Sequence, residues 1–454
     1  MAKTPVAKNE ELTVTVEDLT YEGMGVAKVD GYPLFIDGAL PGERAVVHVV
    51  KAEKKFAFAR LKTLETTSPD RVTPRDAAYT QTGIAPLQHL AYPAQLAFKA
   101  AQIRNLYKKA HLDVPVKETL GMAQPSGYRN KAQIPVRMVN GQPTTGFYKR
   151  RSHELLPLED FYIQDPKIDT AVLVVRDLLR RYGVPAYDEA TNTGVIRHIM
   201  VRRGYFSHQM MIVLVSRTWA VPYLDELVAG ITAALPEVVS IVLNLNERAT
   251  NVILGKKTQM LYGTPYLEDS LLGSRFRISP LSFYQVNPTQ TEVLYTQAVE
   301  AAGLTGQEVV IDAYSGIGTI SLTMAKHAKQ VYGVEIVPEA VADARENARL
   351  NGVTNAEFVL GKAEDVMQAW KEEGLHADVL MVDPPRKGLA PEFVAAVGVM
   401  LPPKVVYVSC NPATLARDIA ALQGFGYKAT ATQPVDMFPQ TTSIESVTVL
   451  TRAE

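Results

Sequence analysis

From Leu304 onward the chain repeats one unit, a short apolar run, a turn and a helical stretch, and that repeat limits the fold more than any other feature. The runs are Val309–Asp312, Gln330–Val334, Glu357–Leu360, Val379–Val382 and Val405–Val408. Runs this short and this apolar suit strands covered on both faces, and the stretches between them are long enough for crossover helices. The spacing therefore predicts a doubly wound, Rossmann-like α/β sheet. Ligands of such sheets sit beyond the carboxyl ends of the strands. The residues that close each run are thus the first candidates for chemistry.

The first run closes in Asp312-Ala-Tyr-Ser-Gly-Ile-Gly-Thr319. Its glycines let the backbone approach a ligand as strand passes into helix. The third glycine of a dinucleotide fingerprint and the Gly-Lys-Ser/Thr of a phosphate loop are both missing, which disfavours NAD and ATP. Glu335 ends the second run about 20 residues further on, where a carboxylate accepts hydrogen bonds from ribose hydroxyls. The third run is followed by Gly361-Lys-Ala-Glu-Asp365 and the fourth by Asp383-Pro-Pro-Arg-Lys-Gly388. Four strand-end motifs in this order point to an adenosine-containing ligand. The set resembles class I S-adenosylmethionine methyltransferases. That resemblance implies that the glycine loop holds the amino-acid part of the cofactor, Glu335 the ribose and the next loop the adenine.

The fifth run leads into Val408-Ser-Cys-Asn-Pro412, which places the single cysteine of the chain, Cys410, at a carboxyl end facing the same crevice. A lone thiol is ordinarily inert filler, and one cysteine forms neither an intramolecular disulfide nor a thiolate metal cage. Its position supports a chemical reading. Carbon 5 of uracil is a poor nucleophile toward a methyl donor until something adds at carbon 6. A thiolate adding there converts the ring to an enolate, whose carbon 5 attacks the methyl sulfonium; a base then removes the carbon 5 proton, and elimination frees the thiol. A carboxylate for that proton stands at Glu445, within Phe438-Pro-Gln-Thr-Thr-Ser-Ile-Glu-Ser446 and just ahead of the apolar run Val447–Leu450.

The N-terminal 65 residues alternate apolar and polar positions in Leu12–Val16, Pro33–Ile36 and Ala45–Val50, with glycines between them, and predict a small β-barrel. Barrels of this kind carry oligonucleotides in basic grooves with aromatic stacking faces. Lys54, Lys55, Phe56 and Arg60, with Phe58, are the candidate RNA contacts. A net charge of −1 does not exclude nucleic acid, because the run Lys51–Lys62 is locally basic. Thr66–Pro74 reads as a linker. Beyond it, Ala94–Lys109 has helical spacing, whereas Ala132–Met138 and Gln209–Val215 read as strands, so the middle third is mixed α+β. There Tyr128-Arg-Asn-Lys131, Tyr148-Lys-Arg-Arg151 and Arg202-Arg203 with Tyr205 interleave cations with aromatics, as an RNA-facing surface would. The expected division is a barrel over 1–65, a central α+β RNA-recognition domain over 66–275 and the methyltransferase domain over 276–454.

Along most of its length the chain resembles the uracil-C5 RNA methyltransferase family, which includes the bacterial tRNA and 23S ribosomal RNA enzymes. The resemblance rests on Tyr128-Arg-Asn-Lys131, Ser282-Phe-Tyr-Gln-Val-Asn287, the glycine loop Asp312–Gly318, Asp383–Gly388, Ser409-Cys-Asn-Pro412 and Met437-Phe-Pro-Gln-Thr441. It implies that the barrel is a TRAM domain and that Cys410 is the nucleophile, with Glu445 as the proton acceptor. By the same resemblance Gln285, Tyr314, Gly316, Glu335 and Asp383 contact the cofactor and Gln285 also touches the target base, while Arg129 and Lys131 of the cation–aromatic cluster are candidate RNA contacts. Many members carry a cysteine-rich iron–sulfur motif just before the segment matching Leu87-Gln-His-Leu90; this chain has Gln81-Thr-Gly-Ile-Ala85 there, so no cluster is expected. Gln440 and Ser443 stand where histidines are common. Within the family, the length, the barrel and the missing cluster cysteines are most similar to 23S ribosomal RNA enzymes of Gram-positive bacteria, and tRNA is the alternative substrate.

Two other classes compete. Asp383-Pro-Pro385 is similar to the Asp/Asn-Pro-Pro motif of amino-group methyltransferases, though Arg386 replaces the usual aromatic. An RNA-binding factor with a vestigial fold is the non-enzymatic alternative, opposed by the intact Cys410 and Glu445. The N-terminus has no signal-peptide h-region and no stretch is apolar for about 18 residues, so a cytoplasmic protein without a membrane partner is expected.

Overall fold

The computed structural model describes residues 4–452. Its N-terminal sheet has six strands, Glu11–Thr15, Asp18–Leu19, Gly25–Val29, Tyr32–Asp37, Arg44–Ala52 and Ala57–Thr66. Their spatial order is first, fifth, sixth, fourth, third, second. The alternation read in the sequence sends Val14, Ala27, Leu34, Ile36, Val47 and Val49 into one interior, as a period of two requires.

Thr66–Pro74, expected as a linker, is instead fastened to the barrel. The Glu43 carboxylate is fully buried, accepts from the amides of Leu40 and Ser68, and pairs with Arg71, whose guanidinium also donates to the Gly38 carbonyl. A buried carboxylate needs a cation, and Arg71, in this stretch, supplies it, while the adjacent Arg44 pairs outward with Glu65. Composition marks such a segment as irregular without saying that it is tied down.

The middle of the chain forms a seven-stranded sheet in which Ile196–Arg203 lies between Lys131–Val139 and Met210–Ser216. The helices Pro166–Arg181 and Leu224–Ala234 share its core. The helix Tyr92–Lys109 does not belong with this sheet, although the expected division counted it there. Its Ile103 and Tyr107 are buried with Ile311, Val334 and Leu380 of the C-terminal sheet. The hairpin Leu267–Leu271 and Ser274–Ile278 likewise packs Phe276 and Ile278 with Leu294 and Val310. Periodicity identifies the apolar face of a helix but not the surface that covers it.

The C-terminal sheet has seven strands: Val309–Asp312, Gln330–Glu335, Ala356–Leu360, Val379–Val382, Lys404–Ser409, Tyr427–Val435 and Glu445–Arg452. In space they run third, second, first, fourth, fifth, seventh, sixth. The first five are parallel, and the order reverses at Val309–Asp312, flanked by the second and fourth strands. This is the switch point at which doubly wound sheets open a crevice. The last strand pairs antiparallel with both Lys404–Ser409 and Tyr427–Val435. Glu445 opens that strand rather than preceding it, because pairing on both sides extends the ladder beyond the apolar run. Gly333 is required for packing: a Cβ there would stand 2.5 Å from the ring of Phe358.

Candidate active site

The crevice is built where the strands end. Past Val309–Asp312, Gly316 takes φ of +53°, a left-handed conformation that suits glycine. Its amide donates to Glu335 at 3.1 Å, and the other Glu335 oxygen accepts from Ile336 and Val337. Ile336 and Val337 are themselves 65% and 45% exposed, an apolar surface directly beside that carboxylate. Asp312 accepts from Ser321, yet its second oxygen and the hydroxyl of Ser315 are buried without a partner. Tyr314 lies against Phe393, ring centres 5.5 Å apart. The Gln285 amide reaches the hydroxyl of Tyr295, which lies 3.2 Å from Thr319 at the start of the next helix.

Sheet register brings the two sequence-selected reactive groups together. Ser409 and Ser446 are partners across the antiparallel pair, so Cys410 and Glu445, one step further out on each side, leave the sheet at the same end. Cys410 is half-buried and Glu445 is 4% exposed. Asn411 caps the helix Pro412–Gln423 through the Ala413 amide, and its side chain donates to the Arg386 carbonyl, tying the cysteine loop to Asp383–Gly388.

These groups perturb one another strongly. Burial, with Asp312 as a nearby like charge, pushes the Asp383 carboxyl up to about 7. Burial and then Asp383 hold Glu445 well above the usual carboxylate range, while Arg386 opposes them. The Cys410 thiol is pushed up to about 11 by burial, then by Glu445 and Asp383, and Arg386 again pulls the other way. The free site therefore keeps its thiol protonated at neutral pH. Alkylation of Cys410 by iodoacetamide is expected to climb about tenfold per pH unit without levelling off by pH 9, since only the thiolate reacts and its fraction grows until pH passes the pKa. A plateau near pH 8.5 would show an unperturbed thiol.

Sequence reading missed the supports of this site. Lys99 and Asp436 are both fully buried and paired, and Lys99 also donates to the Phe438 carbonyl at 3.0 Å. Tyr92 donates to the other Asp436 oxygen at 3.0 Å. Together they hold the loop that leads to Glu445. A signal was available, because Lys99 falls on the apolar stripe of its helix, four and eight residues before the buried Ile103 and Tyr107. Gln440 is likewise structural, exchanging hydrogen bonds with Gln95. Asp312 stood inside a recognised motif without being singled out, and Arg386 was noted only as the replacement for an aromatic.

The other selected residues lie elsewhere. Lys54 and Lys55 are exposed on the turn before Ala57–Thr66, Arg60 is exposed on that strand, and Phe56 is half-buried against Phe35 and Phe58. The barrel touches the Glu445 loop, since a Cβ at Gly23 would meet Leu87 at 2.8 Å and Thr442 at 3.3 Å. Arg129 and Lys131 stand at the start of Lys131–Val139, beside the Ser282–Asn287 segment that carries Gln285. Among the described residues no group of three or more His, Cys, Asp or Glu side chains is arranged to hold a metal ion. None of the helices described is long and apolar enough to cross a membrane.

A doubly wound sheet with a glycine loop, an acid ending the second strand and an antiparallel last strand defines a class I methyltransferase. The family model described as tRNA (uracil-5-)-methyltransferase matches residues 239–453, and the TRAM domain model matches residues 5–62. The chain is 59% identical over 452 residues to a protein of Lactiplantibacillus plantarum described as an uncharacterized RNA methyltransferase, covering 99% of each. It is 53% identical over 455 residues to one of Enterococcus faecalis with the same description, covering 100% of each. The chain thus belongs to the RNA uracil-C5 methyltransferase family. Its fold is similar to that of the Pyrococcus abyssi tRNA (uracil-54, C5)-methyltransferase in complex with S-adenosyl-L-homocysteine, with a TM-score of 0.78 and 24% identity over 96% of this chain and 99% of that one.

Proposed function

We propose that this protein transfers a methyl group from S-adenosylmethionine to carbon 5 of uridine in RNA, with 23S ribosomal RNA as the substrate. The observation that carries this is the register that sets Cys410 and Glu445 at one end of an antiparallel pair, beside Asp383 at the switch point. The cofactor fits the residues present. Glu335 suits its ribose; the loop Gly361–Asp365, whose Gly361 amide donates to the Glu335 carbonyl, suits its adenine together with the exposed Ile336 and Val337; and the unpartnered oxygens of Asp312 and Ser315 mark polar capacity left over in the glycine loop. Gln285, Tyr314 and Gly316 would line the same pocket. When bound, the donor supplies an electrophilic methyl group and a positive charge that favours ionised neighbours.

The Cys410 thiol loses its proton to solvent, the resulting thiolate bonds to carbon 6 of the uracil, and the electrons of the carbon 5–carbon 6 double bond shift toward the carbonyl oxygen at carbon 4. Carbon 5 then takes the methyl group. Glu445 removes the carbon 5 proton, and the electrons of that C–H bond restore the double bond as the carbon–sulfur bond breaks. Burial favours a neutral Glu445 in the free site; the charge of the donor and Arg386 both favour the carboxylate that the last step needs. The target uridine must leave its stack to reach Cys410, which favours a loop or remodelled RNA. Gripping of the flanking RNA falls to the barrel, through Lys54, Lys55, Phe56 and Arg60, and to the middle of the chain. The reaction would take place in the cytoplasm.

The ribosomal substrate is supported by the chain length, the barrel and the lack of cluster cysteines; the tRNA reading is favoured by the substrate of the Pyrococcus abyssi enzyme of similar fold. Incubating the protein with unmodified ribosomal RNA and tRNA plus labelled cofactor, then mapping the product by mass spectrometry, separates the two. Labelled 5-methyluridine in 23S ribosomal RNA is expected, and label confined to tRNA would replace that reading.

A further inference from the structure

Strand Ile196–Arg203 treats its two consecutive arginines in opposite ways. On one face Arg203 is saturated, with Asp165 at 2.8 Å and Glu237 at 3.1 Å. On the other face Arg202 is 3% exposed, meets no carboxylate among the described residues, and makes one hydrogen bond, from Nη2 to the Ser282 carbonyl at 2.9 Å. Its Nε and Nη1 are buried without a partner. Its cross-strand partner is Lys131, which also lacks an acid among the described residues, and two residues before Lys131 stands Arg129, whose side chain donates only to the Lys131 carbonyl. Like charges directly opposite on a sheet destabilise it, and a buried guanidinium with free donors is costly. The strain is evident in Lys131, whose ammonium is pushed down to about 7 by burial and then by Arg202 and Arg129. The phenol of Tyr284, the one acidic group acting on Arg202, is held protonated by its own burial.

We infer that Arg129, Lys131 and Arg202 form a binding site for an oxyanion, and that its occupant is a backbone phosphodiester of the RNA next to the uridine being modified. The place of the cluster argues for that occupant. Arg202 holds the carbonyl of Ser282, the neighbouring Phe283 projects with 66% exposure, and Asn130 bonds the Gln285 and Val286 backbone from between the two cations. The cations thus border the segment that carries Gln285, and an exposed ring stands beside them for an unstacked base. A phosphate accepts charge-assisted hydrogen bonds from guanidinium N–H groups, and Arg202 keeps such donors free at Nε and Nη1, on different edges of the group. The three cations account for affinity and register; they do not read sequence. This inference rests on the RNA reading of the function above.

The test uses the full-length protein, its R202M and R202K variants, and unmodified 23S ribosomal RNA transcript in a binding assay without cofactor across a salt series. R202M is expected to weaken RNA binding about tenfold and to flatten the dependence of log K on log salt by about 0.7, one phosphate contact. R202K should recover part of both. Removing a buried like-charge pair should leave the melting temperature of R202M unchanged or higher, and inorganic phosphate should raise that of the wild type but not of R202M. An unchanged salt slope would overturn the inference, as would a loss of melting temperature in step with affinity, which is the mark of a structural guanidinium. If calorimetry finds weakened S-adenosylmethionine binding with RNA binding intact, the site serves the cofactor carboxylate instead. Because the readout is binding, it stands apart from whether methyl transfer occurs.

Discussion

C410A is expected to lose uridine methylation by a factor on the order of 10⁴ or more, while still binding S-adenosylmethionine and RNA. The size follows from the chemistry: without addition at carbon 6 there is no enolate, and neither Glu445 nor the donor can act on an unactivated ring. Labelled-methyl incorporation reads the loss. RNA containing 5-fluorouridine reads its cause, because fluorine cannot leave as a proton and the wild-type protein should be trapped as a covalent complex that survives denaturation. C410A should give none. Methylation persisting in C410A would point to an exocyclic amino group as the target and return the Asp383-Pro-Pro385 motif to the amino-methylating class.

E445Q is expected to fail at a different step. Proton removal follows methyl transfer, so the variant should add its thiol and accept the methyl group, then stall. Turnover should fall by about 10²- to 10⁴-fold, while a denaturation-resistant complex accumulates with ordinary, unfluorinated RNA. The substitution keeps the shape of a side chain whose burial already favours its neutral form, so the melting temperature should hold. Slow turnover without accumulated adduct would assign Glu445 to positioning and leave the proton to another group, with Asp383 the nearest candidate.

The proposed reactive centre was legible in the sequence because every member except Glu445 closes a strand or directly follows one. A short apolar run ending in Asp312, Glu335, Asp383 or Cys410 carries its own position, since the carboxyl end of a parallel strand has one address in a doubly wound sheet. Glu445 was harder, being at the start of an antiparallel strand, and only the register with Ser409 explains why it meets Cys410. Residues whose partners are distant in sequence were out of reach. Lys99 and Asp436 are separated by 337 positions, Glu43 and Arg71 meet across a loop that reads as a linker, and the helix Tyr92–Lys109 has an apolar face with no label for its partner. The opposite environments of Arg202 and Arg203 are equally silent, because two adjacent arginines read alike until a sheet separates their faces.

The last strand also sets when the protein becomes competent. Glu445–Arg452 is threaded between Lys404–Ser409 and Tyr427–Val435, interior to the sheet rather than at its edge. During synthesis the five parallel strands can assemble while this slot is still empty, with Tyr427–Val435 lacking the neighbour that joins it to them. A nascent chain therefore carries Cys410 and the glycine loop before it carries Glu445, so the two groups that the proposed reaction needs come together only once this strand is in place. Closing the slot with Glu445–Arg452, whose preceding loop is tied through Asp436 and Phe438 to Tyr92 and Lys99, is a high-contact-order event and a slow one.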